Sequence, residues 1–154
     1  MATRPWLTPE ETPQAEKLGP NESWALLERA RIGRLAVRAG DGIDIFPVNF
    51  TVKDHAVYLR SAPGSKLVDI AQSPSVAFEI DGSRWRTHWS VVLHGVAERM
   101  SYDTDIVDSG VLDLPTMTSS SKWNYIRITP TSITGRRFVW RSQMSSRHRG
   151  ENRG

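Results

Sequence analysis

The stretch Ile45 to Leu67, IFPVNFTVKDHAVYLRSAPGSKL, sets the tightest limit on how this chain folds. Ile45 to Val52 is rich in apolar and β-branched residues and predicts a strand. Lys53-Asp54-His55 is a polar turn. Ala56 to Ser61 is a second strand, with Val57 and Leu59 on one face. Ala62-Pro63-Gly64 ends that strand, and Ser65-Lys66 opens a short helix with Leu67, Ile70 and Ala71 as its apolar positions. A helix start offers free backbone N–H groups and the positive end of the helix dipole, so serines and a lysine there can form a phosphate cradle. The plainer reading has Arg60 and Lys66 as solvated charges and Ser65 as an N-cap.

The same two-residue period returns on both sides of this hairpin. The chain opens with Pro5, Pro9, Pro13 and Pro20 among threonines and glutamates, which predicts an extended lead-in over residues 1–20. Asn21 can cap a helix carrying Trp24, Leu27 and Ala30, with Leu26 beside them, and Gly33 fits the position just past its end. Arg34 to Arg38 alternates as a strand, and Gly40-Asp41-Gly42 is a hairpin turn. Pro47 has no N–H to donate, so its strand lies at an edge, at a bulge or where the ladder parts. Val76, Phe78 and Ile80 mark another strand, closed by Asp81-Gly82, and Ser83 to Thr87 is a basic loop bearing Trp85.

His88 to Met100 is the longest strand expected, with Trp89, Val91 and Leu93 on one face and Ser90, Val92 and His94 on the other. Gly95 within it signals a bend or close backbone approach. Tyr102 to Val111 predicts a helix capped by Ser101, with Ile106 and Val107 inward, and Pro115 to Ser121 a loop. Tyr125 to Thr129 alternates, and a last strand follows Pro130, over Ser132 to Val139. Six or seven strands and two or three short helices describe an antiparallel barrel decorated by helices, in the mainly-β or α+β class. The βαβ alternation of a doubly wound sheet is absent, as are G-x-G-x-x-G and Walker A motifs.

At 154 residues this is one domain's length, with no cysteine and a formal charge of +3. Disulfides, thiolate metal sites and cysteine nucleophiles are excluded. The histidines at 55, 88, 94 and 148 lack metal-binding spacing, and His88 and His94 stand about 20 Å apart along a strand. Glu79 and Asp81 share a strand face without further support for a paired-carboxylate hydrolase. No G-x-S-x-G elbow is present. Arginine outnumbers lysine and crowds the end of the chain, which raises the pI to about 9.6. Residues 142–154 are polar, glycine-containing and aperiodic, which reads as a disordered basic tail rather than a nucleic-acid arm. The start of the chain lacks a signal peptide's apolar core, and no run approaches the roughly 20 apolar residues of a membrane helix. The expectation is a cytoplasmic protein without membrane contact.

Several fragments in order carry a resemblance: Gly33-Arg34-Leu35-Ala36, Pro47-Val48-Asn49-Phe50, and Arg60-Ser61 through Ser65-Lys66. Val76 to Asp81 follows, then Trp89-Ser90-Val91-Val92 with Gly95. The chain, over about residues 22–138, resembles the pyridoxamine 5′-phosphate oxidase-like, FMN-binding split-barrel proteins. The resemblance implies a split antiparallel β-barrel over residues 21–141, a homodimer with two equivalent sites, and FMN in a groove between the chains. It implies phosphate contacts from Lys66, Ser61, Ser65 and Arg60, with Pro47, Val48, Asn49 and Phe50 passing the ring edge and Trp89 and Ser90 meeting the flavin. Trp89 reads equally as core.

The chain departs from pyridoxamine phosphate oxidases at Ala62 to Lys66, where those enzymes carry an Arg-Lys pair after the serine. It also lacks their C-terminal Arg-x-His motif, which sets pyridoxamine phosphate aside as the substrate. The implied function is a flavin-dependent oxidoreductase acting on a small molecule through the cofactor, with no side-chain acid or base assigned. The alternatives are a split-barrel reductase using the deazaflavin F420, a non-catalytic flavin-binding or storage module and, last, a nucleic-acid-binding barrel.

Overall fold

A computed structural model describes residues 14–62, 64–101, 103–115 and 124–139, and within these the side chains of all but Gln14, Ser65, Lys66 and Asp103. The proline-rich first 13 residues, most of the expected 115–121 loop and the basic tail lie outside the described residues.

Among the described residues, seven strands and three helices follow in the order β1 (Gln14–Leu18), α1 (Pro20–Arg29), β2 (Ile32–Ala39), β3 (Gly42–Lys53), β4 (Ala56–Ser61), α2 (Ser65–Gln72), β5 (Ser75–Arg84), β6 (Thr87–Arg99), α3 (Asp103–Asp108) and β7 (Asn124–Val139). A 3₁₀ turn at Val111–Asp113 follows α3. The sheet order is β1-β7-β4-β3-β2-β5-β6, all antiparallel, and β6 pairs again with β7. That last pairing closes a ring and makes the sheet a split barrel. β7 holds it together: Asn124 to Ile128 pairs with β4, Gly135 to Val139 with β1, and Ile126 to Val139 with β6.

Alternation decides what faces the ring's interior. Leu35, Val37, Phe50, Val57, Leu59, Phe78, Ile80, Val91, Leu93, Ile126 and Ile128 form one buried cluster. Each is apolar at every second position of its strand, which is what a one-sided sheet requires. Leu27 and Trp24 of α1 and Ile70 of α2 close the cluster, while Ala71 is exposed. Trp24 also stacks on His55, ring centroids 4.6 Å apart and 3° from parallel. His55 and Asp54 have φ of 56° and 49°, both left-handed, as a type I′ hairpin turn requires.

Several boundaries differ from the sequence reading for local reasons. Helix α1 is capped by Gly19 with Pro20 in its first turn, so Asn21 lies inside it. Gly33 is not a helix terminator but an inward position of β2, lying on the ring of Phe78. β5 runs past Asp81-Gly82 to Arg84, and the turn falls at Trp85, with φ of 58° and 97% exposure. Val107 points outward, 61% exposed.

The longest strand is β7 rather than β6, because Pro130 interrupts nothing. A register shift beside His94 and Gly95 absorbs one extra residue there, a β-bulge that tolerates the missing N–H. Gly95 is required at that bulge: a β-carbon would stand 2.5 Å from the Thr129 carbonyl oxygen. Residues 14–18 of the expected lead-in are β1, its Leu18 buried beside Gly135. No helix among the described residues is long and apolar enough to cross a membrane.

Candidate functional site

Two separate places hold the site residues expected from sequence. The first is the corner where β4 passes into α2. Gly64 is the N-cap of α2 and carries no side chain to close the first-turn N–H groups, so Ser65 is the first helical residue rather than the cap. Arg60, half-buried, is the last outward residue of β4. Ser61 turns inward, 7% exposed, and its hydroxyl donates to the Ala62 carbonyl at 3.2 Å.

Beside this corner, β3 is paired on one side only. Phe50 to Lys53 pair with β4, whereas Gly42 to Asn49 pair with β2 alone among the described residues. The ladder to β4 ends at Phe50, and the backbone before it, Pro47 included, is open along that edge. The side chains of Val48 and Phe50 point into the core, where Phe50 meets Phe78 edge-on at 4.8 Å. The main chain, the exposed Pro47 ring and Asn49 are therefore what this segment can present to a ligand. The α3 region lies across the same outer face. Asn49 Nδ2 donates to the Pro115 carbonyl at 3.1 Å, Lys53 Nζ to that of Asp108 at 2.5 Å and Arg60 Nη1 to that of Leu112 at 3.4 Å.

The second place holds Trp89 and Ser90, near the start of β6. In one chain, β7 links them to Arg60: Arg60 pairs with Tyr125 and Trp89 with Arg137, positions 12 residues apart, roughly 40 Å along the strand. Trp89 lines a groove of about 620 Å³ between the end of α1 and the β5–β6 hairpin. Its indole lies flat on Gly82: a β-carbon there would stand 2.4 Å from Cζ2. Sequence reasoning missed the groove's arginines, because three come from separate elements that only folding brings together.

Glu79 and Asp81 do share a face, and what they hold is Arg34. Its Nε donates to Glu79 Oε2 at 2.7 Å and its Nη2 to Asp81. The bond to Glu79 raises the guanidinium's pKa above its ordinary value; burial opposes it, and the bond to Asp81 and the charges of both carboxylates add to the rise. These carboxylates form an ion-pair cluster on the sheet. Among the described residues, no group of three or more histidines, cysteines or acids is placed to hold a metal ion.

A ring of antiparallel strands closed through one shared strand, with an uncapped helix start beside a half-paired strand at its rim, defines the split-barrel class. The chain belongs to the pyridoxamine 5′-phosphate oxidase family, whose model matches residues 20–137. A Corynebacterium glutamicum structure provisionally assigned as a pyridoxamine 5′-phosphate oxidase is 37% identical, covers 82% of this chain and 99% of its own, and superposes with a TM-score of 0.75. An FAD-binding protein of Mycobacterium smegmatis is 33% identical, covering 82% of this chain and 100% of its own, with a TM-score of 0.70. An uncharacterized Mycobacterium tuberculosis protein is 31% identical over 87 residues, 56% of this chain and 79% of that one.

Proposed function

We propose that the protein is a flavin-dependent oxidoreductase that binds FMN and acts on a small molecule as a cytoplasmic homodimer. The observation that carries this reading is the uncapped first turn of α2, set directly after Arg60 and beside the open edge of β3. Such a corner suits a phosphate, because directed N–H donors and a cation meet where the helix dipole is positive. Lys66, in that first turn by sequence, adds a mobile charge, and Ser61 and Ser65 add hydroxyls. The main chain from Pro47 to Asn49, paired with β2 alone, then has its other edge free for the polar edge of a ring. The M. smegmatis relative, an FAD-binding protein, supports a flavin as the ligand class.

A second copy enters because Trp89 and Ser90 pair near the far end of β7 from the corner of their own chain. Two-fold symmetry would bring those of one protomer to the corner of its partner, giving two equivalent sites. A bound flavin supplies the hydride or electron transfer. The protein's share is to anchor the phosphate, hold the ring edge by main-chain bonds and exclude water with Trp89.

The test is the visible spectrum of the purified protein after incubation with FMN, and separately FAD, followed by desalting. Retained flavin bands with quenched fluorescence, weakened at least about tenfold in affinity by Lys66→Ala, are the expected result. An unchanged dissociation constant in Lys66→Ala would sink the phosphate assignment. A colourless protein after both challenges would move the cofactor to the deazaflavin F420. Reduction by a nicotinamide donor with transfer to an acceptor separates an enzyme from a flavin-holding module.

A further inference from the structure

The strand side chains that meet the α3 region hold it in one way: each donates to a main-chain carbonyl. Lys53 Nζ binds the Asp108 carbonyl at 2.5 Å, Arg60 Nη1 that of Leu112 at 3.4 Å and Asn49 Nδ2 that of Pro115 at 3.1 Å. The segment keeps its shape through bonds of its own. The Ser109 hydroxyl, on a residue 5% exposed, donates to the Ile106 carbonyl and accepts from Val111 N–H. The N–H groups of Asp113 and Leu114 return to the carbonyls of Gly110 and Val111. The chain from α3 to Pro115 is therefore a preformed strap laid over β3 and β4.

Its two ends are held unequally. Asp108 ends α3, where the last carbonyls lack helical partners and a lysine is a suitable donor to them. Val111, just beyond, is fully buried. Lys53 and Val111 together fix the α3 end. From Leu112 to Pro115 no side chain is buried, and Leu112 is 44% exposed. That end is tied down by Arg60 and Asn49, the same side chains that the α2 corner and the β3 edge offer to a ligand. A neutral carbonyl at 3.4 Å is a weak partner for a guanidinium, and an anion is a much stronger one.

We infer that the strap is a gate over this corner. Without a ligand, Arg60 and Asn49 hold the Leu112–Pro115 end against the sheet. An anion that engages Arg60 and a ring edge that engages Asn49 let that end go, while Lys53 and Val111 keep the α3 end in place. Closure and binding compete for the same donors. Binding therefore loosens the strap, and whatever weakens closure tightens binding. The inference rests on the phosphate reading of the α2 corner and gives that site a regulation, since its affinity depends on how firmly the strap is closed.

The test follows amide hydrogen exchange of the full-length protein alone, with FMN and with inorganic phosphate, and compares FMN affinity in the parent and in Lys53→Met. A single 3₁₀ turn has little stability of its own, so the Asp113 and Leu114 amides report its release. FMN should speed their exchange at least about fivefold, and Lys53→Met should bind FMN at least about fivefold more tightly. A fixed wall of the site gives the reverse, slower exchange with FMN and equal or weaker binding by Lys53→Met. That result overturns the gate and leaves the flavin reading standing. If FMN fails to bind and phosphate still speeds the exchange, the flavin reading falls and the gate stands. If neither ligand speeds it, the gate is overturned.

Discussion

A β-carbon on Gly33 would stand 2.3 Å from Phe78 Cζ, and Phe78 is fully buried among side chains that cannot give way. Gly33→Ala is therefore an overpacking change in the barrel's interior, expected to destabilise by about 1–3 kcal/mol. At this chain length that lowers the melting temperature by roughly 2–4 °C per kcal/mol, readable by calorimetry. A residue on the opposite face behaves differently. Arg34 bridges Glu79 and Asp81, but its side chain is 37% exposed, so Arg34→Gln should cost about 1 kcal/mol or less in urea unfolding. The sign of its pH dependence is fixed by its raised pKa. A group raised in the folded state contributes fully below its ordinary value and loses that contribution only as pH climbs through the raised one. The parent's stability advantage over Arg34→Gln should then show no loss from arginine titration between about pH 5 and 9.

Among the elements, the β5–β6 hairpin carries the clearest local conflict. Trp85 sits at φ of 58° with 97% exposure, so it bears a left-handed backbone without burying its ring. Trp85→Gly should stabilise the fold by about 0.5–1 kcal/mol, the backbone relief exceeding the entropy returned to the unfolded chain. A destabilised variant in thermal unfolding would show that the indole is held by something beyond this chain. β1 makes the opposite case. Leu18 is 4% exposed against Gly135, and Leu18→Ala should cost about 2–5 kcal/mol by calorimetry, enough to show that this short strand is structural.

These elements also mark how far the sequence could be read. β4 and the interior positions of β5 were legible because Val57 and Leu59, and Val76, Phe78 and Ile80, put apolar residues at every second position. β1 was not, since its residues among prolines and glutamates show no period, and only pairing with β7 makes them a strand. Pro130 looked like a boundary between two strands because the bulge that accommodates it, with Thr131 the extra residue, is defined only by the register against β6.

At the scale of the molecule, the α2 corner was readable as a contiguous motif, whereas its distance from Trp89 depended on strand order and its arginine-lined neighbour on the packing of α1 against the β5–β6 hairpin. The proposed homodimer would reunite those halves. Sedimentation equilibrium should then give about twice the monomer's 17.3 kDa, and dilution to monomer should release flavin in parallel. Flavin retained unchanged by a monomer would show that one chain suffices.

The dependence of the ring on β7 bears on how the protein is made. β7 is the last strand described and is bonded to β1, β4 and β6. During synthesis β1, β4 and β6 must wait, each with an open edge, until residues 124–139 leave the ribosome. Nascent chains stalled before Asn124 should therefore be cut readily by protease and those stalled well beyond Val139 should resist. The interval between the two is when this barrel is most exposed to pairing with the wrong strand.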